Sequence, residues 1–107
     1  MKFLLVILAI LLSQASYGHG GATRPVTVLS GNVLESGTTE QLTGVKVSVA
    51  GTDLFTYTDR YGYYEIPNVP AGQIVIEFSL VSFEPSKVEL DLTNGDLPVA
   101  NATLESR

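Results

Sequence analysis

Val45-Lys46-Val47-Ser48-Val49-Ala50 decides the fold class of this chain. Three valines take alternate positions, with Lys46, Ser48 and Ala50 between them. In an extended chain, a spacing of two puts the valines on one side and the intervening residues on the other. A helix would scatter the same valines around its circumference. Valine also loses rotamer freedom in a helix and packs well on a pleated surface. The segment therefore predicts a strand with one face in a core.

The same period continues outward in both directions. Gly51-Thr52-Asp53 breaks the strand, and Leu54 to Thr58 reads as a short aromatic one. Asp59-Arg60-Tyr61-Gly62 is a turn, after which Tyr63 to Ile66 returns. Pro67-Asn68-Val69-Pro70-Ala71-Gly72 reads as a loop that no helix would tolerate. Gln73 to Leu80 follows, with Ile74, Ile76, Phe78 and Leu80 on one face. Ser82 to Pro85 bends the chain, and Val88, Leu90 and Leu92 then alternate with Lys87, Glu89 and Asp91. Asn94-Gly95-Asp96 signals another turn, and Val99 to Leu104 closes the domain. Upstream, Glu35 to Glu40 is a polar turn. Before it, Thr27 to Leu34 is the first strand, with Leu29, Gly31 and Val33 facing one way.

About seven short strands at this spacing predict an all-β, antiparallel Greek-key sandwich over residues 27–105. A parallel sheet would need crossover helices, for which the pattern leaves no room. Residues 19–26 read as a flexible lead.

The first eighteen residues have a different character. Met1-Lys2 gives a positive start, Phe3 to Leu12 is unbroken apolar sequence, and Ser13 to Gly18 is small and polar apart from Tyr17. This three-part layout predicts a helical secretory signal peptide, cut after Ala15 or after Gly18. A spanning helix needs roughly 20 apolar residues, so no membrane span is expected in the mature chain. The expected place is the periplasm or the extracellular space.

The chain has 107 residues, with 6 Lys and Arg against 11 Asp and Glu, a formal charge of −5. Removing the segment through Gly18 takes away Lys2 alone and leaves five cations against eleven anions, or −6. A surface of that sign repels nucleic acid and anionic membrane. With no cysteine, the domain has neither a disulfide nor a lipid-modified thiol. It must be held by its apolar core, at a size where one core is sufficient but not generous.

Four segments in order resemble the carboxypeptidase regulatory-like domain family, whose fold is a transthyretin-like (prealbumin-like) sandwich. They are Leu29-Ser30-Gly31-Asn32-Val33, Leu42 to Val49, Thr58-Asp59-Arg60-Tyr61-Gly62-Tyr63-Tyr64, and Pro70-Ala71-Gly72 with the strand after it and Phe83-Glu84-Pro85. The resemblance covers most of the sequence after the signal. It implies a scaffold or binding role, since such domains are appended to peptidases, outer-membrane TonB-dependent receptors and other exported proteins, often bacterial. Each motif also has a plain cause. Asp59 can accept from nearby amides and Gly62 can take positive φ. Gly44 and Gly72 end loops where a side chain would obstruct, and Pro67 and Pro70 stiffen a loop.

Candidate chemistry is sparse. His19 is the one histidine; a Ser-His-Asp arrangement would need it as base, and it falls in the flexible lead. Two enzyme families share the transthyretin-like fold, the 5-hydroxyisourate hydrolases and the intradiol dioxygenases. Both use more than one histidine, so no catalytic residue and no cofactor is expected. If cleavage follows Gly18, His19 with its free α-amine would offer copper two nitrogens; chance placement beside a cleavage site is the plainer explanation. Asp53, Asp59 and Glu65 would be too few to satisfy calcium alone, and turn capping accounts for them. No metal site is expected.

The aromatics carry more. Phe55, Tyr57, Tyr61, Tyr63 and Tyr64 fall within ten residues. On a hairpin, Tyr57 would sit across from Tyr63 or Tyr64 and form a stacking platform for a sugar ring; cross-strand packing is the plainer explanation. The leading expectation is an interaction module that contacts a protein partner in the envelope or extracellular space, for instance through an open sheet edge. The alternative is a small carbohydrate-binding domain that uses Tyr57, Tyr61, Tyr63 and Tyr64 on a glycan.

Overall fold

The fold was obtained as a computed structural model that describes residues 25–92 and 97–107. The expected signal peptide, His19 and the Asn94-Gly95-Asp96 turn lie outside those residues. The strands are β1 (Val26–Glu35), β2 (Lys46–Val49), β3 (Phe55–Tyr57), β4 (Tyr63–Pro70), β5 (Gly72–Ser79), β6 (Ser86–Leu92) and β7 (Ala102–Leu104). They form two sheets, in the orders β4-β1-β7 and β3-β2-β5-β6. No helix occurs among the described residues.

The alternation read from the sequence sets which face of each strand is inside. Val45, Val47 and Val49 are buried from the four-stranded sheet, with Ile74, Ile76 and Phe78 beside them. Leu29, Val33, Tyr64, Ile66 and Leu104 face them from the three-stranded sheet. Val47 pairs with Thr56 on one side and with Phe78 on the other. A slip by one residue would turn all the valines to solvent, so the register is fixed by burial.

Two features depart from the expectation. The first is that β1 and β7 run parallel, with Val33 opposite Ala102 and Glu35 opposite Leu104. The connection between them is not a helix but the rest of the domain, including the whole second sheet. The rule that parallel strands need a long crossover therefore holds, with strands as the crossover.

The second is the Pro67–Gly72 stretch, expected as a loop. In the structure β4 runs on through Pro70 and pairs with Val26 there, and Val69 is fully buried. The pairing shifts between Thr27 and Leu29, where β4 carries one residue more than β1. That is a β-bulge, and Asn68 takes a φ of +63° within it. Proline is acceptable here because β4 is an edge strand with no neighbour awaiting its N–H.

Strand β7 is shorter than the predicted Val99–Leu104. Val99 pairs with Ser30, then the chain lifts away and rejoins at Ala102. In the gap the Asn101 side chain replaces a backbone partner, with Oδ1 accepting from the Asn32 amide at 2.9 Å. The Ala100 carbonyl lies directly on Gly31, where a Cβ would come within 2.0 Å of it. The buried Tyr64 hydroxyl donates to that same carbonyl at 2.5 Å.

Candidate functional site

The segment from Thr58 to Tyr64 joins the two sheets. Thr58, buried, donates its hydroxyl to the Leu42 carbonyl at 2.6 Å and accepts from the Val45 amide at 2.9 Å. Asp59 Oδ1 accepts from the amides of Tyr61 and Tyr63, at 2.8 and 3.0 Å. Its backbone N–H donates to the Tyr63 carbonyl at 2.9 Å. Gly62 has a φ of +75°, and a Cβ there would meet the Val33 carbonyl oxygen at 2.6 Å. Gly44 and Gly72 also have positive φ but nothing within 4 Å of where a Cβ would stand. The expected obstruction is therefore absent at both, and backbone conformation alone favours glycine.

This junction separates the tyrosines that the sequence grouped. Strand β3 pairs with β2, while β4 pairs with β1 in the other sheet, so no β3–β4 ladder exists. Tyr57 stands on the outer face of the four-stranded sheet, 56% exposed. Tyr63 stands on the outer face of the three-stranded sheet, and its hydroxyl donates to Glu65 at 2.7 Å. That bond to a carboxylate holds the Tyr63 phenol above its usual range. Tyr61 is exposed in the turn, with the Arg60 guanidinium 5.5 Å from its ring centre. Tyr64 is in the core, edge-on to Phe78 at 5.8 Å, and burial pushes its ionisation well above the usual range. A shared Tyr57–Tyr63–Tyr64 platform does not form, because period two sends Tyr63 and Tyr64 to opposite sides of β4.

The carboxylates Asp53, Asp59 and Glu65 do not gather into a cluster either. Asp59 serves the turn and Glu65 serves Tyr63. Among the described residues no three potential ligands converge.

What does assemble is a surface around Tyr57. Lys46 pairs with Tyr57 on one side and Ser79 on the other, making one row across three strands. The next row is Phe55, Ser48, Glu77 and Lys87. Phe55 is as exposed as Tyr57, and the two rings meet edge to face at 5.8 Å. The Lys46 ammonium lies 5.1 Å from the Phe55 ring centre, within cation–π range. Beyond Ser79 the surface dips into a groove of about 420 Å³, walled by Lys46, Tyr57, Val81, Phe83 and Arg107. Val81 at its rim is 88% exposed.

The sequence pattern groups Phe55 with Tyr57 and does not mark Lys46, Val81 or Phe83 as their companions. One signal was present, since Lys46 alternates with buried valines and must point to the same side as Phe55 and Tyr57. The Ser82–Pro85 bend gave no sign of where it would fold back.

The sheet edges are less inviting than the face. Strand β4 has Pro67, Pro70 and the bulge, and the Tyr63 peptide groups are taken by Asp59. Strand β6 displays Lys87, Glu89 and Asp91, while β3 and β7 have three residues each. Prolines, bulges, charges and short length all discourage an added strand.

Two antiparallel-rich sheets in these orders, with a face rather than a cleft as the most developed surface, define a prealbumin-like β-sandwich domain. The sequence pattern of the CarboxypepD_reg-like domain matches residues 29–107, and the chain belongs to that family. No curated protein sequence matches the chain.

Solved structures share the fold at low identity. One is a chain of a type II cohesin–X-dockerin complex of Acetivibrio cellulolyticus, 20% identical, with a TM-score of 0.65 over 75% of this chain and 58% of that one. Another is the TIE protein of Bacillus anthracis, 19% identical, with a TM-score of 0.64 over 77% of this chain and 17% of that one. A third is a protein of Bacteroides uniformis described as a candidate carbohydrate-binding protein, 23% identical, with a TM-score of 0.55 over 75% of this chain and 41% of that one. This chain thus spans less than two thirds of each.

Proposed function

We propose that this chain is an exported, non-catalytic binding module that contacts a protein partner in the cell envelope or extracellular space. Its contact surface is the outer face of the four-stranded sheet around Tyr57. The observation that carries the reading is the Phe55–Tyr57–Lys46 group, two exposed rings and a cation on one face beside a mostly apolar groove. Aromatic side chains are characteristic anchors of protein interfaces, and scattered single apolar residues are not. Membership in a regulatory-like domain family and the structural likeness to a chain of a cohesin–dockerin complex support a contact role. Export rests on the three-part N-terminal pattern.

A carbohydrate partner is the second reading. It is favoured by the exposure of Tyr57 and Phe55 and by the Bacteroides uniformis neighbour. Affinity capture from envelope extracts, run beside a glycan array, separates the two. A protein retained by the wild type and by Tyr63→Phe, but lost with Tyr57→Ala, supports the first. A glycan signal lost with Tyr57→Ala, with no protein retained, supports the second. Turnover of any substrate by the purified chain contradicts both.

A further inference from the structure

We infer that the groove beside Tyr57 selects an acidic peptide segment, one in which carboxylates alternate with apolar residues. This rests on the binding reading above and names the chemistry of the partner.

Among the described residues ten acidic side chains stand against four basic ones, Lys46, Arg60, Lys87 and Arg107. On such a surface most grooves would be walled by at least one acid. The groove beside Tyr57 has two of the four cationic side chains in its wall, Lys46 and Arg107, and no Asp or Glu. The other two cations are elsewhere and occupied. Lys87 lies 3.7 Å from Glu77, and Arg60 stacks on Tyr61.

Lys46 has no carboxylate within ion-pair distance among the described residues; its ammonium rests over the Phe55 ring instead. Arg107 is held 3.6 Å from Glu84, but both side chains are 59% exposed, and a pair so open to water is weak and exchangeable. A partner carboxylate would thus meet one available cation and one replaceable pairing.

The rest of the wall decides between classes of anion. Val81, Phe83, Leu80 and Pro85 are apolar, and Ser79 and Tyr57 add one hydroxyl each. A sugar acid would need an array of polar groups for its remaining hydroxyls. It would also want a flat aromatic platform, whereas the Phe55 and Tyr57 ring planes stand at 85°. An apolar side chain beside a carboxylate suits the groove better, with its apolar part against Val81 and Phe83 and its charge toward Lys46.

Amide NMR of the isotope-labelled chain, titrated with two synthetic octapeptides, tests this. One peptide alternates Glu with Leu, and its twin alternates Gln with Leu. The acidic peptide is expected to shift Gly44, Lys46, Tyr57, Ser79 and Val81, with an affinity about tenfold above that of its twin at low salt. The advantage should shrink at high salt, since exposed charges are screened. It should vanish in Lys46→Glu, whose amide spectrum shows whether the fold is kept, and fall partly in Lys46→Gln.

Equal binding of both peptides in the groove overturns the acidic preference and leaves the contact surface standing. Shifts centred on Lys87 or Arg60 overturn the site. A groove that ignores both peptides but moves with an oligosaccharide overturns the protein-contact reading as well. No shift with any of them also overturns the inference.

Discussion

Tyr57 and Tyr64 are seven residues apart and serve opposite ends. Tyr64 is sealed in the core, with its ring against Phe78 and its hydroxyl on the Ala100 carbonyl. Tyr57 stands on an open sheet face, beside Phe55 and across from Lys46. One tyrosine ties β4 to the opposite sheet and to the segment before β7; the other is exposed, and the proposed function gives it the partner. Residue type alone does not separate these roles. Strand phase does, together with what the far end of the chain brings to each position.

Breaking the inner site should have the largest effect. Gly31→Val would push a side chain into the Ala100 carbonyl, backbone that cannot yield cheaply. A loss of about 4 kcal/mol or more is expected, enough to unfold a small domain. Thermal unfolding followed by far-UV circular dichroism would show no cooperative transition.

Tyr64→Phe is milder. It keeps the ring and leaves the Ala100 carbonyl without its buried donor, at a cost of about 1–3 kcal/mol. The same residue predicts a pH effect. In the unfolded chain the phenol titrates near 10, whereas burial holds the folded one higher. The native chain then binds more protons than the unfolded one above that pH, so stability falls as pH rises past about 10. Urea midpoints across pH 8 to 11 should show a slope that Tyr64→Phe flattens.

Thr58→Val tests the junction between the sites. The Leu42 carbonyl and the Val45 amide both lose the hydroxyl. A loss of about 1–3 kcal/mol is expected, while Thr58→Ser should recover most of it. Chemical denaturation resolves the pair.

The outer site should give the smallest change in stability. Tyr57→Ala and Lys46→Gln are expected to stay within about 0.5 kcal/mol of the wild type, since neither residue supports the core. A larger loss on denaturation would mean that the face is structural after all.

The contrast also shows how far the sequence could be read. Val45, Val47 and Val49 fixed one sheet because alternation is a local property. The same logic placed Leu29, Val33, Ile74 and Ile76 inside. Local reading failed where the partner is distant. Pro67 to Pro70 looked like a loop because prolines end most strands; only the sheet order shows that β4 is an edge. Tyr57 and Tyr63 looked like hairpin partners because the turn at Asp59 is real; only the pairing of β3 with β2 and β4 with β1 shows that the chain changes sheets there. The groove was the least legible part, since Lys46, Val81 and Arg107 are distant in sequence and meet through tertiary folding alone.

The central claim is that partners meet the face bearing Tyr57 and not the opposite face bearing Tyr63. Site-specific photo-crosslinking tests it most directly, with a benzophenone amino acid placed at position 57 or at position 63 in the cells that make the protein. The account predicts one discrete adduct from position 57, lost when Lys46→Glu is added, and none from position 63. An adduct of equal yield from position 63, or one at position 57 indifferent to Lys46→Glu, would contradict it.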